Sequence, residues 1–310
     1  MSAANRPYIV VVGSVNTDLV TRCTQLPLPG QTISGHDFRT LPGGKGANQA
    51  VAAARLGAAV HLVGCVGDDA FGASARALLE AEGVGTDALH TVAGSPTGVA
   101  TILVEDSGQN CIVVASGANA ALTVERVDAA AALIRGASLL VCQLESPLAA
   151  VAHAVALARA AGVPVLLNPA PAPAAPLPAA LLAQVDLLVP NETEAAALAG
   201  LPGLAEAAAF DAAAAAERLR AMGPAAVLVT LGAEGVHLAD AAGHRAWPAP
   251  KVRAIDTTGA GDSFIGAFAA RRVSGASLHA AIAHGQRAAA YSVTRAGAIA
   301  AMPTARDLGD

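Results

Sequence analysis

Asp256-Thr257-Thr258-Gly259-Ala260-Gly261-Asp262-Ser263-Phe264 runs directly into an apolar stretch rich in glycine and alanine. Two glycines just ahead of a helix N-terminus let several backbone N–H groups converge on an anion without interference from Cβ atoms. A carboxylate, Asp262, stands at the same spot, where a static anion site would have no use for it. A site in which a phosphoryl group moves does need one: the carboxylate meets the attacking hydroxyl while the N–H groups take up charge. Asp is also a common helix cap, and within this stretch alone that reading stands equally open.

Composition narrows the classes. The chain has 310 residues, enough for one large α/β domain with a substantial core or two small ones. Its apolar fraction of 54% and mean hydropathy of +0.50 raise the question of a membrane protein. The longest apolar run, residues 148–167, is broken by His153, Arg159, Gly162 and Pro164 and reads as helix, turn and strand instead of a span. The high hydropathy comes mainly from alanine, a strong helix former. No secretory leader is read at the start, because the apolar residues 8–12 meet Asn16 and Asp18 at once. Cys23, Cys65, Cys111 and Cys142 are scattered without a CxxC pair, so free thiols in a reducing compartment are expected. A net charge of −5 with no basic run argues against nucleic acid. The expectation is a soluble cytoplasmic enzyme acting on a small molecule.

Short β-branched runs alternate with Ala/Leu-rich helical stretches. Strands are expected at residues 8–12, 60–63, 139–142, 163–167, 187–189 and 227–230. Helices are expected at 47–56, 71–82, 124–134, 148–161, 192–199, 205–222, 262–274 and 278–294. Strands that are apolar throughout belong in a parallel sheet covered on both faces, so the pattern predicts an α/β fold, a three-layer α/β/α sandwich. Residues 17–40 and 97–115 break the alternation and read as antiparallel hairpins projecting from the main sheet as a lid. The Pro/Ala tract at 168–180 reads as an ordered surface loop. A single domain spanning 1–310 accommodates all of this.

Other candidate residues fall at the predicted C-terminal ends of strands, the edge where open α/β sheets bind ligands. Gly43-Gly44-Lys45-Gly46-Ala47-Asn48 opens the first long helix, with glycines for close approach and Lys45 and Asn48 as donors. It is no Walker A loop, since Gly46 occupies the Ser/Thr position. Asp18, after Gly13-Ser14-Val15-Asn16-Thr17, can accept from two neighbouring hydroxyls or merely end a turn. Glu145 in Gln143-Leu144-Glu145-Ser146-Pro147 follows a strand in the same way. Asn191 and Glu194 face phosphate and Mg²⁺ or form a capping box. Thr230-Leu231-Gly232-Ala233-Glu234-Gly235 is a glycine turn suited to a nucleotide. Caps alone would be spread over both sheet edges; these candidates share one.

Several strings together resemble the ribokinase-like carbohydrate kinase family from Gly13 to about Pro303: residues 43–53, 67–72, 117–122, 143–147, 168–172, 190–194 and the opening stretch at 256–262. The resemblance implies ATP-dependent phosphorylation of D-ribose at its 5-hydroxyl, with Asp262 as base and Gly259, Ala260 and Gly261 as the anion hole. Asn16, Asp18, Gly44, Lys45, Gly46, Ala47, Asn48, Glu145 and Asp262 would bind the sugar. Asn191, Thr230, Leu231, Gly232, Ala233, Glu234, Gly235, Gly261 and Gln286 would contact ATP, and Glu194 would act on the Mg²⁺–phosphate side. Potassium would be held by Asp256, Thr258, Ser292, Arg295, Gly297 and Ala301, several through backbone carbonyls, and a homodimer would form through the lid. Alternatives are a kinase of 2-deoxyribose, a ketohexose or a nucleoside, and a silent sugar-binding regulator. A regulator should have lost the base or the metal-side residues, and Asp262, Asn191 and Glu194 are all present. A nicotinamide oxidoreductase lacks its third glycine, replaced by Phe264.

Overall fold

The computed structural model describes residues 6–201 and 210–309. Its strands are β1 (Tyr8–Val12), β2 (Asn16–Cys23), β3 (Gly35–Gly43), β4 (Ala59–Gly67), β5 (Val84–Gly85), β6 (Leu89–Val92), β7 (Gly98–Glu105) and β8 (Asn110–Ala115). They continue with β9 (Leu139–Cys142), β10 (Val165–Leu167), β11 (Leu187–Leu188), β12 (Ala226–Thr230), β13 (Val236–Asp240) and β14 (Gly243–Trp247). The main sheet runs β14-β13-β12-β11-β10-β9-β1-β4-β5, with β6 also on β4. Every pairing from β5 to β12 is parallel, while β13 and β14 turn back antiparallel at one edge. Helices cover both faces, as the all-apolar strands demand.

Two apolar clusters, one on each face, record the three layers. Val10, Val12, Leu140, Cys142 and Leu167 point to one side. Their strand neighbours Ile9, Val11, Leu139, Val141 and Leu166 point to the other, as the two-residue strand period requires. On that second side lie the Lys45–Arg55 and Ala260–Val273 helices, whose buried alanines and glycine let them pack closely. At Gly266 a Cβ would come within 2.7 Å of the Gln49 carbonyl. This contact brings the two glycine-led helix N-termini to the same end of the sheet.

Both expected hairpins form, β2 with β3 and β7 with β8. A long parallel pairing of β2 with β7 joins them into one four-stranded lid, β3-β2-β7-β8. Asp69 fastens its base: the side chain caps the Ala70–Ala81 helix at Gly72 and accepts from both the N–H and the hydroxyl of Thr97, just before β7.

The structure corrects several boundaries. The stretch 124–134 is two helices, Val124–Ala129 and Ala131–Arg135. The bend at Ala130 has no glycine or proline behind it; both halves instead seat Val127 and Ile134, fully buried, in one cluster. Helix Ala212–Ala221 represents the expected 205–222; positions 205–209 lie outside the described residues. The β13–β14 hairpin was not foreseen. The 168–180 tract is less superficial than expected, since Asn168 and Ala170 are buried at the sheet edge and a helix, Ala179–Leu182, closes it. Asp18 lies three residues into lid strand β2, not at the end of β1. Among the described residues no helix is long and apolar enough to cross a membrane.

Candidate active site

Asp262 does not cap its helix. The N-cap of Ala260–Val273 is Gly259, in a left-handed conformation, and no side chain caps it. The Asp262 carboxylate is buried and points across to the Lys45–Arg55 helix. Asn48 Nδ2 donates to its Oδ2 at 2.9 Å and Gln49 Nε2 to its Oδ1 at 2.9 Å. Of the expected anion-hole residues Gly259, Ala260 and Gly261, the Ala260 N–H is taken by the Thr257 carbonyl at 3.2 Å. Helix geometry leaves the first N–H groups without an intrahelical acceptor, so those of Gly261 and Asp262 stay open at this end. A polar cavity of about 210 Å³ lies against them, lined by Lys45, Asn168, Asn191, Glu194, Gly259 and Asp262 among others. A buried carboxylate and open helix-start N–H groups thus share one cavity.

On the sugar side, Gly44 starts the Lys45–Arg55 helix at φ 92°, and a Cβ there would lie 2.6 Å from the Asn16 nitrogen, so only glycine fits. Glu145 Oε2 accepts from the Lys45 N–H at 3.1 Å and from the Ser14 hydroxyl at 2.5 Å, holding the start of that helix as an anion should. Asn16 Oδ1 accepts from Asn119 Nδ2, which fixes the entrance to the lid strand. Asn48 Oδ1 is buried without a hydrogen-bond partner among the described residues, an acceptor left over for a ligand hydroxyl. Gly46 and Ala47 are buried beneath these groups and contribute close packing, not side-chain chemistry.

Charge is concentrated in this crevice. Burial pushes the Asp262 carboxyl up, Lys45 and its two amide donors oppose that, and Glu145 adds to it. Asp18 is pushed up to about 6 by burial and by the Glu145 and Asp262 carboxylates. Burial also raises Glu194, against the Asn191 N–H and Lys45. Lys45 itself loses solvation, yet Asp262, Glu145 and Glu194 outweigh that and hold it above its ordinary value. One cation, Lys45, therefore faces three acids, Asp262, Glu145 and Glu194, while Asp18 crowds Glu145 and Asp262.

The adjoining cavity, about 520 Å³, is more apolar and is lined by Thr230, Gly232, Ala233, Gly235, Val252, Phe264 and Ala289 among others. Gly261 borders both cavities, joining them at the helix N-terminus. Gln286 lines the larger one while its Nε2 donates to the Trp247 and Pro248 carbonyls, which fixes the β14 exit loop as a wall. Leu231 instead packs against the core and Glu234 is exposed outside both cavities. Asn191 and Glu194 do form the full capping box, Glu194 Oε2 accepting from the Asn191 N–H at 2.9 Å. Both also line the polar cavity, so the structural and the ligand-facing readings coexist.

Asp256, Thr258 and Gly297 are tied together: Asp256 accepts from the Thr258 N–H and hydroxyl and from the Gly297 N–H. Ser292 lies beside Val293, whose carbonyl receives the Ile255 and Asp256 N–H groups, and Ala301 is buried in the neighbouring turn. The Arg295 guanidinium lies over the Tyr291 ring, 3.5 Å from its centroid, leaving only its backbone for this group. Asp256 stays below its usual range because these hydrogen bonds outweigh burial. Such hard oxygen donors, one carboxylate with hydroxyls and carbonyls, fit an alkali cation. Glu194 beside a phosphate-sized cavity fits Mg²⁺ held mainly through phosphates and water. Among the described residues no cluster of three or more His, Cys, Asp or Glu forms a self-sufficient metal site.

Sequence reasoning missed Gln49, Asn168, Gln143 and Ser14, all in the crevice and none given a role. The available signal was the adjacent amide pair Asn48-Gln49 inside an otherwise apolar helix, both of them buried.

A mostly parallel sheet carrying a lid, with a buried carboxylate at a helix N-terminus in a polar cavity that adjoins an apolar one, is the architecture of a phosphotransferase. The chain belongs to the pfkB family of carbohydrate kinases, whose model matches residues 6–305. It is 41% identical over 302 residues to the ribokinase of Haemophilus influenzae, covering 97% of each chain. It is 39% identical over 297 residues to the deoxyribokinase of Salmonella typhimurium, covering 96% of this chain and 95% of that one. Among solved structures, Arabidopsis thaliana ribokinase complexed with ribose and ATP superposes with a TM-score of 0.90 at 35% identity, covering 98% of each chain. The protein is an ATP-dependent sugar kinase.

Proposed function

We propose that this kinase transfers the γ-phosphoryl group of ATP to the 5-hydroxyl of D-ribose, giving D-ribose 5-phosphate and ADP. The observation that carries the reading is Asp262 itself: excluded from capping, held by Asn48 and Gln49, and lining the polar cavity next to Gly261, which borders both cavities. Its carboxylate receives the hydroxyl proton as the ribose oxygen bonds to phosphorus and the bond to the ADP oxygen breaks. A carboxylate is a weak base toward a ground-state alcohol, so this transfer comes late, when the oxygen is already bonding to phosphorus. The N–H groups of Gly261 and Asp262 and the Lys45 ammonium take up the phosphoryl charge.

Asp18 accepts from sugar hydroxyls on the lid side, and Asn48 Oδ1 accepts one on the body side. Glu145 is committed to the helix start through one oxygen and offers the other. ATP occupies the larger cavity between the glycine turn at 232–235 and Gln286. Mg²⁺ would bind on the Asn191/Glu194 side and would neutralise phosphate charge. K⁺ would bind among Asp256, Thr258, Gly297 and neighbouring carbonyls, and would steady the loop that leads into the anion hole. The lid also supports a homodimer: all six residues of its edge strand β8 are exposed, with Val113 at 65% and Ile112 at 53%, an apolar edge that a second copy would cover.

The resemblance to a deoxyribokinase supports a second reading, 2-deoxyribose as substrate. ADP release with Mg·ATP and K⁺ is measured across ribose, 2-deoxyribose, fructose, adenosine and no sugar. A kcat/KM highest for ribose is expected; a higher value for another acceptor replaces ribose with it, and no stimulation by any of them overturns the reading.

A further inference from the structure

We infer that Gln49 is a positioning residue for the catalytic base, and that Gln143 sets Gln49 in turn. The inference rests on the reading of Asp262 as that base. An ionised carboxylate only accepts hydrogen bonds, so the Gln49 atom facing Asp262 Oδ1 must be its NH₂. That NH₂ has a second hydrogen, which goes to Asn168 Oδ1 at 3.1 Å. Gln49 Oε1 must then face away, and it receives Gln143 Nε2 at 2.6 Å. Asn168 is fixed from its other end by donating to the Val189 carbonyl at 2.8 Å. The Gln143 amide fills space that only Gly13 leaves open: a Cβ there would stand 2.1 Å from Gln143 Oε1. Asp262 and Asn168 permit Gln49 one orientation, and Gln49 in turn permits Gln143 one, although Gln143 Oε1 is buried without a hydrogen-bond partner among the described residues.

Two consequences follow for the carboxylate. Its plane is fixed by donors on both oxygens, so the lone pairs not occupied by Asn48 and Gln49 are those presented to the substrate hydroxyl. Those same donors favour the ionised form in a crevice where burial and neighbouring acids oppose it. The charged groups around Asp262 are Lys45 from the Lys45–Arg55 helix, Glu145 from the segment after β9, Asp18 from the lid and Glu194 from the Glu192–Ala199 helix. Gln49 is the neutral member that tips the balance without adding charge.

The test is the pH dependence of kcat for three variants, with melting temperature and ATP affinity as folding controls. Gln49→Leu is expected to lower kcat at neutral pH about 10–100-fold, through loss of orientation. The acid limb should move up by about one pH unit, through loss of a donor to the anion. KM for the sugar should change much less than kcat. Gln49→Glu keeps size and shape but sets a second carboxyl against Asp262, so the acid limb should move up further still, by at least about one more unit. Gln143→Leu should shift the limb in the same direction by less. A purely structural role predicts that Gln49→Leu, if folded, keeps the wild-type kcat and an unmoved limb, and that result overturns the inference. Gln49→Glu, whose carboxyl acts on Asp262 whatever Gln49 does, checks that the limb reports Asp262, and an unmoved limb there overturns it as well. Asp262→Asn separates the two failures: normal turnover in that variant overturns the base assignment and this inference together. An inactive Asp262→Asn beside unmoved Gln49 profiles overturns the inference alone.

Discussion

The crevice and the flank of the Lys45–Arg55 helix handle charge in opposite ways. At its N-terminal end, Lys45 faces Glu145, Glu194 and Asp262, with Asp18 beside Glu145 and Asp262, and Asp18, Glu194 and Asp262 are pushed above their ordinary range. At its C-terminal end, Arg55 meets Glu82 through two hydrogen bonds of 2.8 and 2.6 Å. Arg55 also donates to the Ile299 and Met302 carbonyls. There the Glu82 carboxyl is drawn below its usual range by Arg55, against burial. One end is saturated with partners and stabilises the fold; the other is kept short of them, which leaves acceptors for a substrate at a cost in stability.

Substitutions at each end sharpen this contrast. The largest effect belongs to the crevice: Asp262→Asn should lower kcat by at least ~10²-fold while isothermal titration still detects ATP binding. Arg55→Met should barely change kcat in the folded protein. It should destabilise by about 2–4 kcal/mol in urea unfolding, because Glu82 and two carbonyls lose their donors. Loss of kcat without loss of stability would erase the distinction between the two ends.

Asp18→Asn should do the reverse and stabilise the ligand-free protein. The folded pKa of Asp18, about 6, lies above the unfolded value of 3.8, so ionisation opposes folding as pH rises through that interval. Removing the charge should therefore add on the order of 1–3 kcal/mol at pH 7.5 and almost nothing at pH 3.5, where the side chain is neutral in both states. Sugar affinity should fall in the same variant; equal stability at both pH values would show that the crevice bears no such cost. The smallest effect is expected at the exposed Arg220–Glu217 pair, where Arg220→Ala should leave the melting temperature unchanged.

The layered fold was legible because its strands are apolar throughout and its helices alanine-rich, two local patterns. The β13–β14 hairpin was not, because Val236–Trp247 mixes His237, His244 and Arg245 with apolar residues and follows a glycine turn that drew the reading toward a ligand. Asp262 could be singled out because a carboxylate beside a glycine-led helix start is chemically odd within nine residues, and its burial against Asn48 and Gln49 agrees with a role other than capping. Gln49 could not: its partners Gln143, Asn168 and Asp262 are distant in sequence, and their meeting depends on the order of β9, β10 and the helices packed against them. For Asn191 and Glu194 the capping box was visible and it forms, while both residues also line the polar cavity.

Asp18 belongs to the lid sheet, whereas Asp262 belongs to a helix of the body. The two acids that would grip opposite ends of one sugar are thus carried by separate sheets, joined through β2 and the Asp69–Thr97 fastening. Such a pocket would work as a caliper: its opening would be set by how the two sheets lie, and a small tilt of the long lid strands would carry Asp18 with it. A change at the outer tip of the lid, far from any substrate atom, would be felt as a change in the size of sugar that the jaw accepts.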